Sequence, residues 1–254
     1  MQRDLIIVDD FYDSPRLVVE YALAQEYYSP YALESRGWGP APPAAQWKTS
    51  YWRPFEQCPF KQALPDTLRA IVGEVIDMEH WKAPYRVDSN QRCLYHPASE
   101  TPVPNTELRS CRWNCSFHVK HHQARVGTGV HNHCATADTD THQEHGDFWN
   151  GVGDHGWAGI IYLNEHASRL SGLKTWKHRG GKPRRWMGPS EEWELVDEFA
   201  PVFNRLILHR GRIPHSGGPG WGTSVPDGRL FQTFFFRTLE VYKLSPAQVM
   251  FDAG

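Results

Sequence analysis

Trp157-Ala158-Gly159-Ile160-Ile161-Tyr162-Leu163-Asn164 is the stretch on which the reading of the fold turns. It carries β-branched and aromatic side chains on both parities and no charge. Such a run reads as a strand buried on both faces rather than as a sheet edge. Phe203–His209 and Leu230–Phe236 have the same texture downstream, and Asn114–Val119 reads as a strand upstream. Gly180-Gly181, Gly217-Gly218-Pro219-Gly220 and Pro226-Asp227-Gly228 supply the turns between them.

Before Cys93 the pattern changes. Leu5–Val8 reads as a short first strand. Ser14-Pro15 opens a helix as N-cap and first helical residue, with Leu17, Tyr21, Ala24 and Tyr28 on one face and Ser29-Pro30 as its end. Residues 36–47 read as a loop. A second helix is expected from Pro65 to about Met78, burying Leu68, Ile71, Val72 and Val75. Helices followed by a run of strands give a mainly β fold with flanking α-helices, a double-stranded β-helix or cupin-like jelly roll. We expect residues 1–254 to form one domain, with 1–92 as helical support and 93–240 as the jelly-roll core. The polar stretch 134–156 is expected to be a long loop acting as a lid.

The bulk numbers exclude several classes. At 254 residues the chain can bury a full core, and its net charge of -2 is spread with both signs mixed. That distribution offers neither a nucleic-acid stripe nor a membrane patch. Its 5 cysteines form no CxxC pair, no apolar run reaches membrane-spanning length, and no signal peptide is read at the start. Cytoplasmic location with reduced thiols is the expectation. Oligomeric state has no sequence signal. The 14 histidines raise the expectation of metal.

Val130–His155 is dense in potential ligands. Non-haem iron(II) oxygenases hold iron through two histidines and one carboxylate, leaving other positions open. A His-x-Asp/Glu pair at the end of a strand places both side chains on one face, because strand side chains alternate. His145-Gly146-Asp147 has the right residue types, and His142-Gln143-Glu144 is a weaker version. His131-Asn132-His133 has the better strand context, but its second member is a histidine. His215, in Ile213-Pro214-His215-Ser216 after the strand 203–209, is the candidate distal ligand. Arg229, at the start of the last strand, could grip the far carboxylate of 2-oxoglutarate through its two-pronged guanidinium. Tyr162 could reach the same co-substrate, or serve as a core hydroxyl.

Taken together, Gly211-Arg-Ile-Pro-His-Ser216, Phe203-Asn-Arg-Leu-Ile-Leu208, Gly228-Arg-Leu-Phe-Gln-Thr-Phe-Phe-Phe236, Trp193-Glu-Leu-Val-Asp197, the central Trp157–Asn164 strand and Val8-Asp-Asp-Phe-Tyr-Asp-Ser-Pro15 resemble a prolyl-hydroxylase-like family of 2-oxoglutarate/iron(II) oxygenases found in bacteria and phages. The likeness covers both ends and most of the chain. It implies iron(II), 2-oxoglutarate and O2, with no catalytic side chain beyond the metal centre. It also implies oxidation of a C–H bond of a small amino-acid-like molecule, by hydroxylation or a related tailoring step such as cyclisation in natural product biosynthesis. His215 and Arg229 match the pattern. The family's HxD places its histidine at His131 and its aspartate at His133, where this chain departs. Three arrangements follow: an all-histidine site, His131 with a carboxylate from the long loop, or His145 with Asp147. Two other classes compete. One is a non-catalytic jelly-roll binding module. The other is a zinc-stabilised domain using Cys111, Cys115, His131, His133 and Cys134, although CxxxC is loose for structural zinc.

Overall fold

In the computed structural model the described residues are 4–28, 47–50, 55–82, 94–95, 102–103, 114–122, 129–133, 152–181 and 190–239. The amino-terminal elements are strand β1 (Leu5–Val8), helix α1 (Pro15–Leu23), strands β2 (Tyr27–Tyr28) and β3 (Trp47–Ser50), and helices α2 (Pro59–Val72) and α3 (Met78–Lys82). A short pair, β4 (Leu94–Tyr95) and β5 (Pro102–Val103), follows. The remaining strands are β6 (Phe117–Lys120), β7 (Trp157–Tyr162), β8 (Leu173–His178), β9 (Trp193–Phe199), β10 (Leu206–Arg210), β11 (His215–Gly217) and β12 (Arg229–Phe236).

Pairing defines the architecture. The large sheet runs β1-β10-β7-β12-β6-β3-β2 and the small one β11-β8-β9, with all pairs antiparallel. A backbone bridge from His131 to His215 adds the 129–133 segment beside β11. Counting that segment, eight consecutive passes from β6 to β12 occupy the order 1-8-3-6 in the large sheet and 2-7-4-5 in the small one. That winding is the double-stranded β-helix, so the expected mainly β jelly roll is the observed fold. Among the described residues, no helix is long and apolar enough to cross a membrane.

Alternation along the strands separates two interiors. Phe117, Val119, Trp157, Ile161, Leu206, Leu208, Leu230, Phe234 and Phe236 form one core with α1, α2 and α3. Residues of the opposite parity, including His118, Lys120, Ile160, Tyr162, Ile207, His209, Arg229 and Phe231, are buried on the other face. Close approach is required at Gly159, where an added Cβ would lie 2.4 Å from Leu208 Cδ2.

The helices differ from the sequence expectation. α1 stops at Leu23, before the chain turns into β2, where Tyr27 pairs with Ser50. Its buried residues are Val18 and Ala22, one turn apart, while Leu17 is exposed. α2 begins at Pro59, with a proline tolerated at the first helical position, and Pro65 lies inside it. Gly73, at φ 71°, ends it by donating its N–H to Arg69 O at 2.9 Å. Met78 starts α3, where Asp77 Oδ1 accepts the N–H groups of Glu79 and His80, each at 3.0 Å.

One ion pair ties these helices to the roll. Arg210, fully buried, donates to Glu74 through both terminal nitrogens and lies 3.9 Å from the Trp157 ring centroid. Glu74 also accepts from Trp157 Nε1 and Thr238 Oγ1. Replacing Glu74 with Ala strands a buried guanidinium, and a loss of about 3–5 kcal/mol in unfolding free energy is expected. Urea melts of the two proteins measure it, and a loss below 1 kcal/mol would mean that the pair behaves as a surface salt bridge.

His118 sets an acid limit on the fold. Its ring lies between Thr49 Oγ1 at 3.0 Å and Thr233 Oγ1 at 2.8 Å, and burial lowers its pKa to about 3. The unfolded chain takes up a proton near pH 6.5 that the folded chain refuses. His118 alone therefore contributes a loss of stability of up to about 1.4 kcal/mol per pH unit below about pH 6.5. His118→Phe is expected to reduce the acid slope by about that amount in melts between pH 6.5 and 4. An unaltered slope would assign it to other groups.

Candidate metal centre and anion pocket

The 129–133 segment and β11 meet as a hydrogen-bonded antiparallel pair: His131 N donates to His215 O at 2.8 Å, and His215 N to His131 O at 2.7 Å. His133 N reaches Gly211 O at 2.8 Å. Two-residue spacing turns His131 and His133 to one side, and the backbone pairing brings His215 against them. Ring centroids are 4.3 Å apart for His131 and His215, 4.9 Å for His133 and His215, and 5.3 Å for His131 and His133. One nitrogen from each ring lies within 4.8 Å of the others. Among the described residues this is the group of histidine, cysteine, aspartate or glutamate side chains so placed that they could share an ion.

The local chain fixes two of the rings. Gly129 O lies 2.9 Å from His131 Nδ1, and Ile213 O lies 3.0 Å from His215 Nδ1. Each carbonyl accepts a hydrogen bond from Nδ1–H, which puts the ring lone pair on Nε2, as metal-ligating histidines are usually set. His133 Nδ1 is buried without a hydrogen-bond partner. Desolvation lowers His131 to about 4 and holds His133 and His215 well below their ordinary range, and neighbouring imidazoles add to the effect for the last two. All three are therefore neutral at pH 7, the state that binds a cation. An orphaned buried nitrogen, two oriented rings and three neutral donors fit a divalent transition metal.

His145 and Asp147, and the weaker pair His142 and Glu144, lie outside the described residues, as do Cys111, Cys134 and most of the expected lid. Cys115 is packed in the helix-side core rather than grouped with the triad. A fourth ring escaped the sequence reading. His209 is buried on β10, with its centroid 4.1 Å from His215 and 6.3 Å from His133, and desolvation lowers it to about 4. Its signal was parity: it shares the inward face of β10 with Ile207, both in the quoted strand.

Arg229 begins β12, fully buried. Its Nη1 donates to Gly218 O at 3.2 Å, while Nε and Nη2 have no hydrogen-bond partner. Around it stand the Phe231 ring, 4.9 Å from Cζ, and the Tyr162 ring at 5.8 Å. Tyr162 accepts the Leu173 N–H at 2.8 Å, and burial raises its pKa although Arg229 opposes the shift. A buried guanidinium with open donors can receive an anion, because a carboxylate offsets the desolvation cost of the cation.

Fold and site together define a double-stranded β-helix that holds a tri-histidine cluster and a buried arginine with open donors. No family model and no curated protein matches the chain. Solved structures do. A prolyl-4-hydroxylase from Pseudomonas putida is 13% identical with a TM-score of 0.40, covering 93% of both chains. A prolyl hydroxylase from Trichoplax adhaerens, in complex with a peptide fragment of hypoxia inducible factor, is 12% identical with a TM-score of 0.39, over 92% of this chain and 83% of that one. HygX from Streptomyces hygroscopicus, with nickel and 2-oxoglutarate bound, is 11% identical with a TM-score of 0.45 over 92% and 83%.

Proposed function

We propose that the chain is an iron(II)- and 2-oxoglutarate-dependent oxygenase that oxidises a C–H bond of a small amino-acid-like molecule. The observation that carries this reading is the meeting of His131, His133 and His215 inside the same roll that buries Arg229 with two unsatisfied donors. In this reading His131, His133 and His215 hold iron(II). Arg229 takes the distal carboxylate of 2-oxoglutarate, with Tyr162 packed beside it. Bound iron, with 2-oxoglutarate and O2, supplies the oxidising power. The chain binds and orients, and it keeps water from the reacting bond. Nδ1 protons stay on His131 and His215, held by Gly129 O and Ile213 O, so both rings keep one tautomer and one orientation.

Three neutral imidazoles differ from the usual pair of histidines with one carboxylate in leaving both positive charges on the ion. A neutral donor set attracts the anionic keto-acid end of 2-oxoglutarate more strongly than a charged set does.

Anaerobic titration of metal-free protein with iron(II) and 2-oxoglutarate tests the reading through the visible charge-transfer band of the chelate. A saturable band is the expected result. Tight iron or zinc binding without any band, and without 2-oxoglutarate affinity, would reject the oxygenase and leave a metal-stabilised binding module.

A further inference from the structure

The small sheet lines the roll in rows. Gly217, Leu173 and Phe199 are register partners across β11, β8 and β9, and Leu173 and Phe199 pack with Tyr162 and Phe231 in an apolar floor. Two residues further along each strand, the next row on the same face is His215, Thr175 and Asp197. Residues directly opposite in an antiparallel pair project from one face. The row that carries His215 therefore ends in a carboxylate, two strand spacings or about 10 Å from the His215 backbone.

Asp197 differs from the other acids of its strand. Glu198, on the opposite face, pairs with Lys174 at 3.0 Å. Glu194 has Lys177 across from it. Asp197 has Thr175 across from it and no cation. β9 is exposed from Glu194 to Glu198, so the carboxylate meets solvent, whereas Thr175 is only 5% exposed. Among the described residues neither the Asp197 carboxylate nor the Thr175 hydroxyl has a hydrogen bond or ion pair. A carboxylate only accepts, and a hydroxyl can accept as well. A protonated amine, with three donors and a positive charge, satisfies both at once, while an anionic group would be repelled.

The geometry points to Asp197 as the substrate-specificity residue of this site: its carboxylate receives a protonated amine of the substrate beside the Thr175 hydroxyl, and the carbon to be oxidised lies toward His215. The inference rests on the oxygenase reading, and it narrows the amino-acid-like molecule to one that carries a free ammonium.

The chelate of iron(II) and 2-oxoglutarate tests it without oxygen, because a molecule seated beside the metal perturbs the charge-transfer band. L-Norleucine and L-lysine are titrated into wild type and Asp197→Asn, each against a counterpart in which hydroxyl replaces one ammonium, 2-hydroxyhexanoate and 6-hydroxynorleucine. Asp197 is exposed and unpaired, so the variant is expected to melt with wild type. In at least one pair the amine is expected to perturb the wild-type band and its counterpart to bind about 10-fold more weakly or worse. Asp197→Asn is expected to lose the same factor for that amine and nothing for the counterpart, with the band itself unchanged. Amines that bind no better than their counterparts overturn the proposal, as does an Asp197→Asn protein that keeps wild-type affinity for the amine. A wild-type band that neither amine perturbs also overturns it and leaves the oxygenase reading standing. A wild type with no band at all removes the oxygenase reading, and the substrate assignment falls with it.

Discussion

His215→Ala protein is expected to lose tight iron(II) binding and all iron-dependent turnover while keeping its fold. His215 lies between both other rings, with centroids at 4.3 and 4.9 Å, so its removal leaves two donors that are no longer bridged. Loss of one of three imidazoles is expected to weaken iron(II) affinity by well over the 10- to 100-fold typical of a supporting residue. Metal content after dialysis and the chelate band read the effect directly. His209→Ala is the companion control. That ring is outside the ligand group, so a smaller loss is expected from it. Equal metal content in wild type and His215→Ala would reject the tri-histidine centre.

Arg229→Met is expected to raise the 2-oxoglutarate requirement by about 100-fold, with metal affinity unchanged. A buried carboxylate that loses a hydrogen-bonded cation forfeits roughly 2–5 kcal/mol. The variant isolates the co-substrate from the metal because the guanidinium touches Gly218, Phe231 and Tyr162 rather than the triad. Binding isotherms with 2-oxoglutarate measure the shift. An unaltered isotherm would exclude Arg229 from the pocket and, with it, the assignment of the co-substrate.

The parts of the molecule legible in the sequence are those with short-range signatures. Trp157–Tyr162 announces a strand buried on both faces, and the observed β7 is fully buried. His131, His133 and His215 could be named because a two-residue spacing and a post-strand histidine are local features. β8 and β9 were not named as strands, because Leu173–His178 and Trp193–Phe199 carry charges on their exposed positions and lie in the small sheet, where one face meets solvent. The face of α1 was misjudged because Leu17 and Val18 are both apolar, and only packing selects Val18. The burial of Lys120 was invisible because a lysine in a strand reads as surface; it depends on register with Arg229, over a hundred residues away. Glu74 and Arg210 pair across 136 positions with no local trace.

The backbone bridge between His131 and His215 has a mechanical consequence for an ion held by those rings. The two residues are 84 positions apart, and the chain between them includes β7 to β10. An ion on both side chains would act as a removable cross-link, closing that loop in the manner of a disulfide but answering to metal supply instead of redox state. At a hundredfold excess over its dissociation constant it would add about 2.7 kcal/mol to the folded state. The wall that carries the ligands would then be firm when charged with metal and looser when stripped, so durability and readiness for chemistry would rise and fall together.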